Sequence, residues 1–248
     1  MLEFFNNKDL TKIKSDEMKY YLAWYKENRG VSNTTLEGMR VVFCVLFDWM
    51  VNNDYIDKSP MRTVLPIKKD TMPERELTDS EIEKFKNACK SIRDRAIIEF
   101  LYSTGCRITE MCETKLSDVN WEKSEVYIIG KGNKPRTVYL TDTAKYYLQE
   151  YLNTRTDELD ILFTCNKGEP RPVKKNSIER LFARLSDEAG VDRIHPHRFR
   201  VKRICTIVNR TDNIVIAQAI AGHSNISTTE RYYRKNQEHV KSEFFRIS

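Results

Sequence analysis

No two cysteines of the 248-residue chain stand at C-x-x-C spacing, and no histidine accompanies one at a zinc-ligand separation. This excludes the zinc-finger and zinc-ribbon classes. The six cysteines, Cys44, Cys89, Cys106, Cys112, Cys165 and Cys205, are scattered and are expected to be reduced thiols packed inside. No stretch approaches the roughly eighteen apolar residues that a bilayer-spanning helix requires, so no membrane role is expected. The first residues, Met1-Leu2-Glu3-Phe4-Phe5, have neither a basic leader nor a cleavable apolar core, which argues against secretion and for the cytoplasm. The pattern G-x-x-x-x-G-K-[ST] is missing, so no nucleotide cofactor is expected. Asp and Glu number 36, yet none are spaced as a two-metal carboxylate cluster, which disfavours a metal-dependent nuclease or transposase. Internal repeats and low-complexity tracts are missing as well.

What is present is the composition of a folded protein. Hydrophobic residues make up 40% and charged residues 31%, in a chain long enough for one large domain or two small ones. The net charge of +6 suits a polyanionic partner, and its distribution narrows where that partner would sit. Residues 1–76 carry 12 Lys and Arg against 12 Asp and Glu, whereas residues 77–248 carry 30 against 24. The whole excess belongs to the second part, as a nucleic-acid-binding domain there would require.

Periodicity divides the chain in the same place. Ser15 is placed to cap a helix running to about Asn28, with Met18, Tyr21, Leu22 and Tyr25 on one stripe and Gly30 beyond its end. Thr34 and Glu37 have capping-box spacing and predict the start of a second helix, whose core face holds Met39, Phe43, Leu46, Phe47 and Met50. Ser59-Pro60 suits the start of one more short helix. Residues 66–76 hold two prolines and six charged side chains among eleven, a linker composition. Thr78 with Glu81 repeats the capping box and opens a fresh helix. The organisation predicted is a helical domain over 1–66, a linker over 67–76 and a second domain over 77–248.

In that second domain, residues 125–129 and 136–140 are β-rich runs around a turn at 130–135. Ile178, Leu181, Phe182 and Leu185 mark a helix ended by Gly190, and Pro196 suits a first helical turn. Residues 214–220 read as a buried apolar run, and Ser227 with Glu230 as a third capping box. The fold class predicted is mainly α with a small antiparallel β-sheet.

Four separated blocks carry the chemistry. They are Thr104-Gly105-Cys106-Arg107-Ile108-Thr109-Glu110, then Gly130-Lys131-Gly132-Asn133-Lys134-Pro135-Arg136, then His195-Pro196-His197-Arg198, and last Ala221-Gly222-His223 with Tyr232 nine residues on. A guanidinium stays charged at any working pH and offers a planar fork to a phosphate. A His/Arg pair at i,i+3 falls on one side of a helix's first turn, where the helix end favours an anion. A phenol with a pKa of about 10 is ionised in only about one copy in a thousand near neutrality, so it must lose its proton to act as a nucleophile. In this order the blocks resemble the tyrosine recombinase (phage integrase) family, over roughly the last two thirds of the chain.

The resemblance implies a site-specific DNA recombinase or integrase that cuts and rejoins strands through a 3′-phosphotyrosyl bond, with no metal or other cofactor. It assigns the nucleophile to Tyr232, with Tyr233 as the competitor, and the clamp on the two non-bridging oxygens to Arg107 and Arg198. The acid for the leaving 5′ oxygen is Lys131, with Lys134 and Arg136 competing. His195 takes part in proton transfer, His197 being the alternative, and His223 donates to a non-bridging oxygen. Glu110, one turn beyond Arg107, holds that arginine's other edge. Lys134, Arg136, Lys174, Lys175, Arg200 and Lys202 are expected to touch DNA. The implied partners are double-stranded recombination sites, three further copies of the chain on synapsed DNA (a monomer or weak dimer without it) and an accessory directionality factor. A mobile element is the preferred substrate over a chromosome-dimer site, with the protein on the nucleoid in the cytoplasm.

The chain also departs from the family's pattern. After Arg198 the usual small and hydroxylated residues give way to Phe199-Arg200-Val201-Lys202-Arg203, and Ala221 stands where leucine is commoner. Residues 32–56 match only the closing helices of the family's DNA-clamping domain, so either the native protein is short or the sequence is a shortened form. Val240, Phe244 and Ile247 form an apolar i, i+4, i+7 set that packs on its own domain or docks on a neighbouring protomer. A catalytically silent DNA-binding regulator should have lost one of Arg107, Lys131, Arg198 or Tyr232, and all four are present. A type IB topoisomerase shares the chemistry, but the compact arrangement of the blocks argues against it.

Overall fold

A computed structural model describes residues 3–68, 77–130, 132–165, 168–211, 213–222 and 245. By packing, the chain divides into two units, Met1–Glu74 and Arg75–Ser248. Most of the expected linker, residues 69–76, lies outside the described residues. So do the third capping box at Ser227 and the tail positions Val240, Phe244 and Ile247.

The first unit is built on α1 (Ser15–Arg29) and α2 (Asn33–Asn52), with 3-10 turns at Leu10–Lys12 and Pro60–Thr63. Gly30 closes α1 in the left-handed conformation, φ 57°, its amide bonded to the Lys26 carbonyl at 3.0 Å. Met18, Leu22, Leu36, Phe47, Met50 and Met61 meet in the core. The start of α2 differs from the Thr34–Glu37 spacing. Ser32 Oγ accepts the Thr35 amide at 3.2 Å and takes the cap. Glu37 turns inward instead, paired with Arg40 at 2.7 and 2.8 Å and accepting the Ile67 amide at 2.8 Å. Ser32 stands two residues nearer the entering chain, and Arg40 with the distant Ile67 amide takes the glutamate.

The second unit runs α3 (Asp79–Asn87), α4 (Ile92–Thr104), α5 (Ile108–Glu113), β1 (Val119–Asn120), β2 (Glu125–Gly130), β3 (Lys134–Tyr139), α6 (Asp142–Asn153), α7 (Lys175–Ala189), α8 (Pro196–Thr211) and α9 (Ile214–Ala221). It is mainly helical with one three-stranded antiparallel sheet in the order β1-β2-β3. Val126 pairs with Val138 and Gly130 with Lys134, and Gly132 and Asn133 lie between the two strands at positive φ. Thr78 and Glu81 form both bonds of their capping box at the start of α3. Helix α4 lies in the middle, its Ala96, Ile97, Ile98 and Phe100 wholly buried, and packs on α6 and α8. The apolar run in α9 is only half inward: Ala217 and Ala221 are buried, but Val215 and Ile216 are 61% and 42% exposed. No helix among the described residues is long and apolar enough to cross a membrane.

The segment after Arg198 that departs from the family's pattern begins in this core. Phe199 is fully buried, its ring centroid 5.1 Å from that of Phe85, 5.3 Å from Phe182 and 5.7 Å from Tyr102. Phe199→Ala should therefore lower stability by about 3–5 kcal/mol, the usual range for a fully packed ring. A denaturant titration checks this as a fall in midpoint at unchanged slope. A loss under about 1 kcal/mol would mean that the three aromatic partners close the gap.

Candidate active site

Gly105 ends α4 with φ 59°, its amide closing on the Leu101 carbonyl at 3.0 Å. The chain then passes through buried Cys106 into extended backbone at Arg107, the N-cap of α5. Glu110, on the first turn of α5, reaches back. Its Oε2 accepts the Arg107 amide at 2.7 Å and its Oε1 accepts Arg107 Nη1 at 2.8 Å. One carboxylate thus fixes both the main chain and the side chain of Arg107. Among the described residues no other group bonds this guanidinium, and 35% of the side chain is exposed.

The same carboxylate is gripped from the sheet. Strand alternation places Arg136 on the face of Val138, which points inward. Its Nη1 and Nη2 donate to Glu110 Oε1 and Oε2 at 3.0 and 2.7 Å, a forked pair with both side chains largely buried. Burial works against the Glu110 charge, but the hydrogen bonds from Arg136 and from the Arg107 amide outweigh it and hold the carboxyl below its ordinary value. Breaking such a pair strands the other charge inside, at a cost of about 3–5 kcal/mol.

Arg136 also touches the end of α9, where its Nε donates to the Ile220 carbonyl at 3.3 Å. Two glycines make room for it. A Cβ at Gly130 would lie 2.9 Å from Arg136 Nη1, an atom pinned by Glu110, and one at Gly222 would lie 2.8 Å from Arg136 Cδ. Gly222 further holds φ 62°, so a side chain there is excluded twice.

Arg200 completes the cluster. Its Nη1 donates to the Gly105 carbonyl at 2.8 Å and its Nη2 to the Ala221 carbonyl at 2.5 Å. Burial first, and then the neighbouring Arg107 charge, push its pKa down to about 10. Lys202 Nζ lies 3.0 Å from Asp79 Oδ1, and Arg203 Nε donates to the Ser103 carbonyl at 3.0 Å. Arg136, Arg200 and Lys202 were expected on the DNA surface; Arg136 and Arg200 are turned into the domain, where each finds protein acceptors, and Lys202 is paired with the exposed carboxylate of Asp79.

Lys134, Lys174 and Lys175 are exposed, Lys175 lying 3.5 Å from Glu179 one turn on. His195 is exposed just ahead of α8, and its carbonyl accepts the Arg198 amide at 2.9 Å. Arg198 is 9% exposed, with Nη1 donating to the Arg193 carbonyl at 3.3 Å. Lys131, His223 and Tyr232 lie outside the described residues, although Gly130 and Gly222, the chain neighbours of Lys131 and His223, are described. The structure therefore brings Arg107, Glu110 and Arg136 into direct contact, sets Arg200 near enough to feel their charges, and puts His195 and Arg198 at one helix start. Among the described residues, no group of three or more His, Cys, Asp or Glu is placed to hold a metal ion.

Residues 75–239 match the model of the phage integrase family. Tyrosine recombinase XerA of Pyrococcus horikoshii is 30% identical over 169 residues, which is 67% of this chain and 59% of that protein. Tyrosine recombinase XerC of Staphylococcus epidermidis is 28% identical over 240 residues, covering 91% of this chain and 78% of the relative. Among solved structures, the Tn1549 transposon integrase in complex with a circular intermediate DNA superposes with a TM-score of 0.80 at 21% identity, over 96% of this chain and 87% of the other. At that identity the superposition speaks for the fold.

Proposed function

This chain belongs to the phage integrase family, and on that premise we propose that it is a tyrosine site-specific recombinase. The observation that carries the reading is the Arg107–Glu110 unit, in which a charged guanidinium is aimed by a buried carboxylate while part of its side chain stays open to a ligand. Such a group suits a phosphodiester's non-bridging oxygens, and Arg198 is its proposed partner. In the step proposed, Tyr232 Oη attacks the phosphorus, the bond to the 5′ oxygen breaks and a 3′-phosphotyrosyl bond forms. His195 takes part in moving the phenol's proton, Lys131 protonates the departing 5′ oxygen, and His223 adds a donor to a non-bridging oxygen. Attack by a free 5′ hydroxyl from another strand reverses these steps and rejoins the backbone, so the bond energy is conserved and no cofactor is needed.

The proposed substrate is double-stranded DNA at the terminus of a mobile element, inserted or excised in the cytoplasm. Four protomers would bring two duplexes together and exchange strand pairs in turn through a Holliday junction, with an accessory factor setting direction. The exposed Lys134, Lys174 and Lys175 are the proposed contacts to backbone phosphates. The test is trapping on nicked suicide duplexes, whose short 5′-hydroxyl fragment diffuses away after cleavage. Element termini should yield a covalent adduct whose DNA-bearing peptide contains Tyr232. Duplexes that are bound but never attached would sink the reading, and adduct on chromosome-dimer sites alone would reassign the substrate.

A further inference from the structure

We propose that Arg136 is a positioning residue of this site, setting the direction of Arg107 through Glu110 and fixing the backbone at Gly130 and Gly222. The proposal rests on the strand-transfer reading above. A carboxylate offers about four acceptor positions, two on each oxygen. In Glu110 all four are taken: Oε1 by Arg107 Nη1 and Arg136 Nη1, Oε2 by the Arg107 amide and Arg136 Nη2. Arg136 occupies the half of the carboxylate that Arg107 would otherwise fork onto. With Arg136 gone, Glu110 would draw the whole Arg107 guanidinium inward and away from a phosphate.

The same side chain lies against the main chain beside two further groups of the proposed machinery. Its Nη1 faces Gly130, which precedes Lys131, and its Cδ, Nε and Cζ face Gly222, which precedes His223. The bond from Nε to the Ile220 carbonyl fastens the second of these corners. With its side chain only 11% exposed, Arg136 is built to bear on its neighbours and not on DNA.

The experiment measures the rate of adduct formation on nicked suicide duplexes by the parent, Arg136→Gln and Arg136→Lys. Each is tested with a phosphate and with a neutral methylphosphonate at the scissile linkage. The parent sets the reference: without its adduct on any bound duplex, the strand-transfer reading fails and takes this inference with it. On phosphate both variants should lose on the order of 10²-fold, as for a misplaced transition-state donor, with duplex affinity held within about threefold. A methylphosphonate lacks one non-bridging charge and asks less of Arg107, so the deficit there should shrink by about tenfold. A deficit of equal size on both linkages would mean a purely structural role and overturn the proposal. So would parent-like cleavage by a folded variant, or weakened binding with a salt slope lower by about one, the mark of a direct phosphate contact. If Arg136→Gln does not fold, Arg136→Lys keeps a charge opposite Glu110 without the fork and carries the same comparison.

Discussion

Tyr232→Phe should bind recombination-site DNA as the parent does and form no covalent adduct. The change removes one oxygen and keeps the ring, so packing and DNA contacts have little reason to alter. The chemistry has every reason to, because a covalent route without its nucleophile loses on the order of 10⁴-fold or more. The near competitor is Tyr233. The Ser227–Glu230 spacing predicts a helix here, on which adjacent residues face different ways, so one position cannot stand in for the other. Gel-shift binding together with adduct formation on a suicide duplex checks this. An adduct that survives, with its DNA mapped to Tyr233, would move the nucleophile by one residue.

Lys131→Ala should slow cleavage of an ordinary phosphodiester by about 10²–10⁴-fold, the usual weight of a general acid. The 5′ alkoxide is a very poor leaving group. A 5′-bridging phosphorothiolate releases a thiolate instead, whose conjugate acid has a pKa of only about 8.5, and it departs without a proton. Restored cleavage of that substrate by Lys131→Ala is the expected signature. Equal defects on both substrates would remove Lys131 from the role and turn attention to Lys134, which is exposed and pairs with Gly130 across the hairpin.

Much of the scaffold was legible because local rules govern it. The box at Thr78 and Glu81, the glycines that close α1 and α7, and the two β-rich runs all follow from cap, turn and alternation chemistry within a few residues. The start of α2 departs from the Thr34–Glu37 spacing because Ser32, two residues earlier, competes for the cap and Glu37 has a partner thirty residues away. In the site, Arg107 and Glu110 were readable as one turn of helix. The inward course of Arg136 and Arg200 was not drawn from the sequence, although signals existed. Arg136 shares strand parity with Val138, and Arg200 stands one turn before Ile204 on the buried stripe of α8. Charge argued for the surface, and only the fold reveals the acceptors that outweigh it. The pairing of Lys202 with Asp79 joins residues far apart in sequence and had no local trace.

Arg200 lies where two helices stop. Gly105 caps α4 and Ala221 is the last residue of α9, and each helix brings about half a negative charge to its C-terminal end. The guanidinium that bonds both carbonyls is therefore balanced by two macrodipoles, and peptide dipoles do not titrate. As pH falls through the lowered Glu110 value, that carboxylate discharges and Arg136 loses its counter-ion. Acidification thus loosens the tie between the sheet and α5 while the two helix ends stay joined.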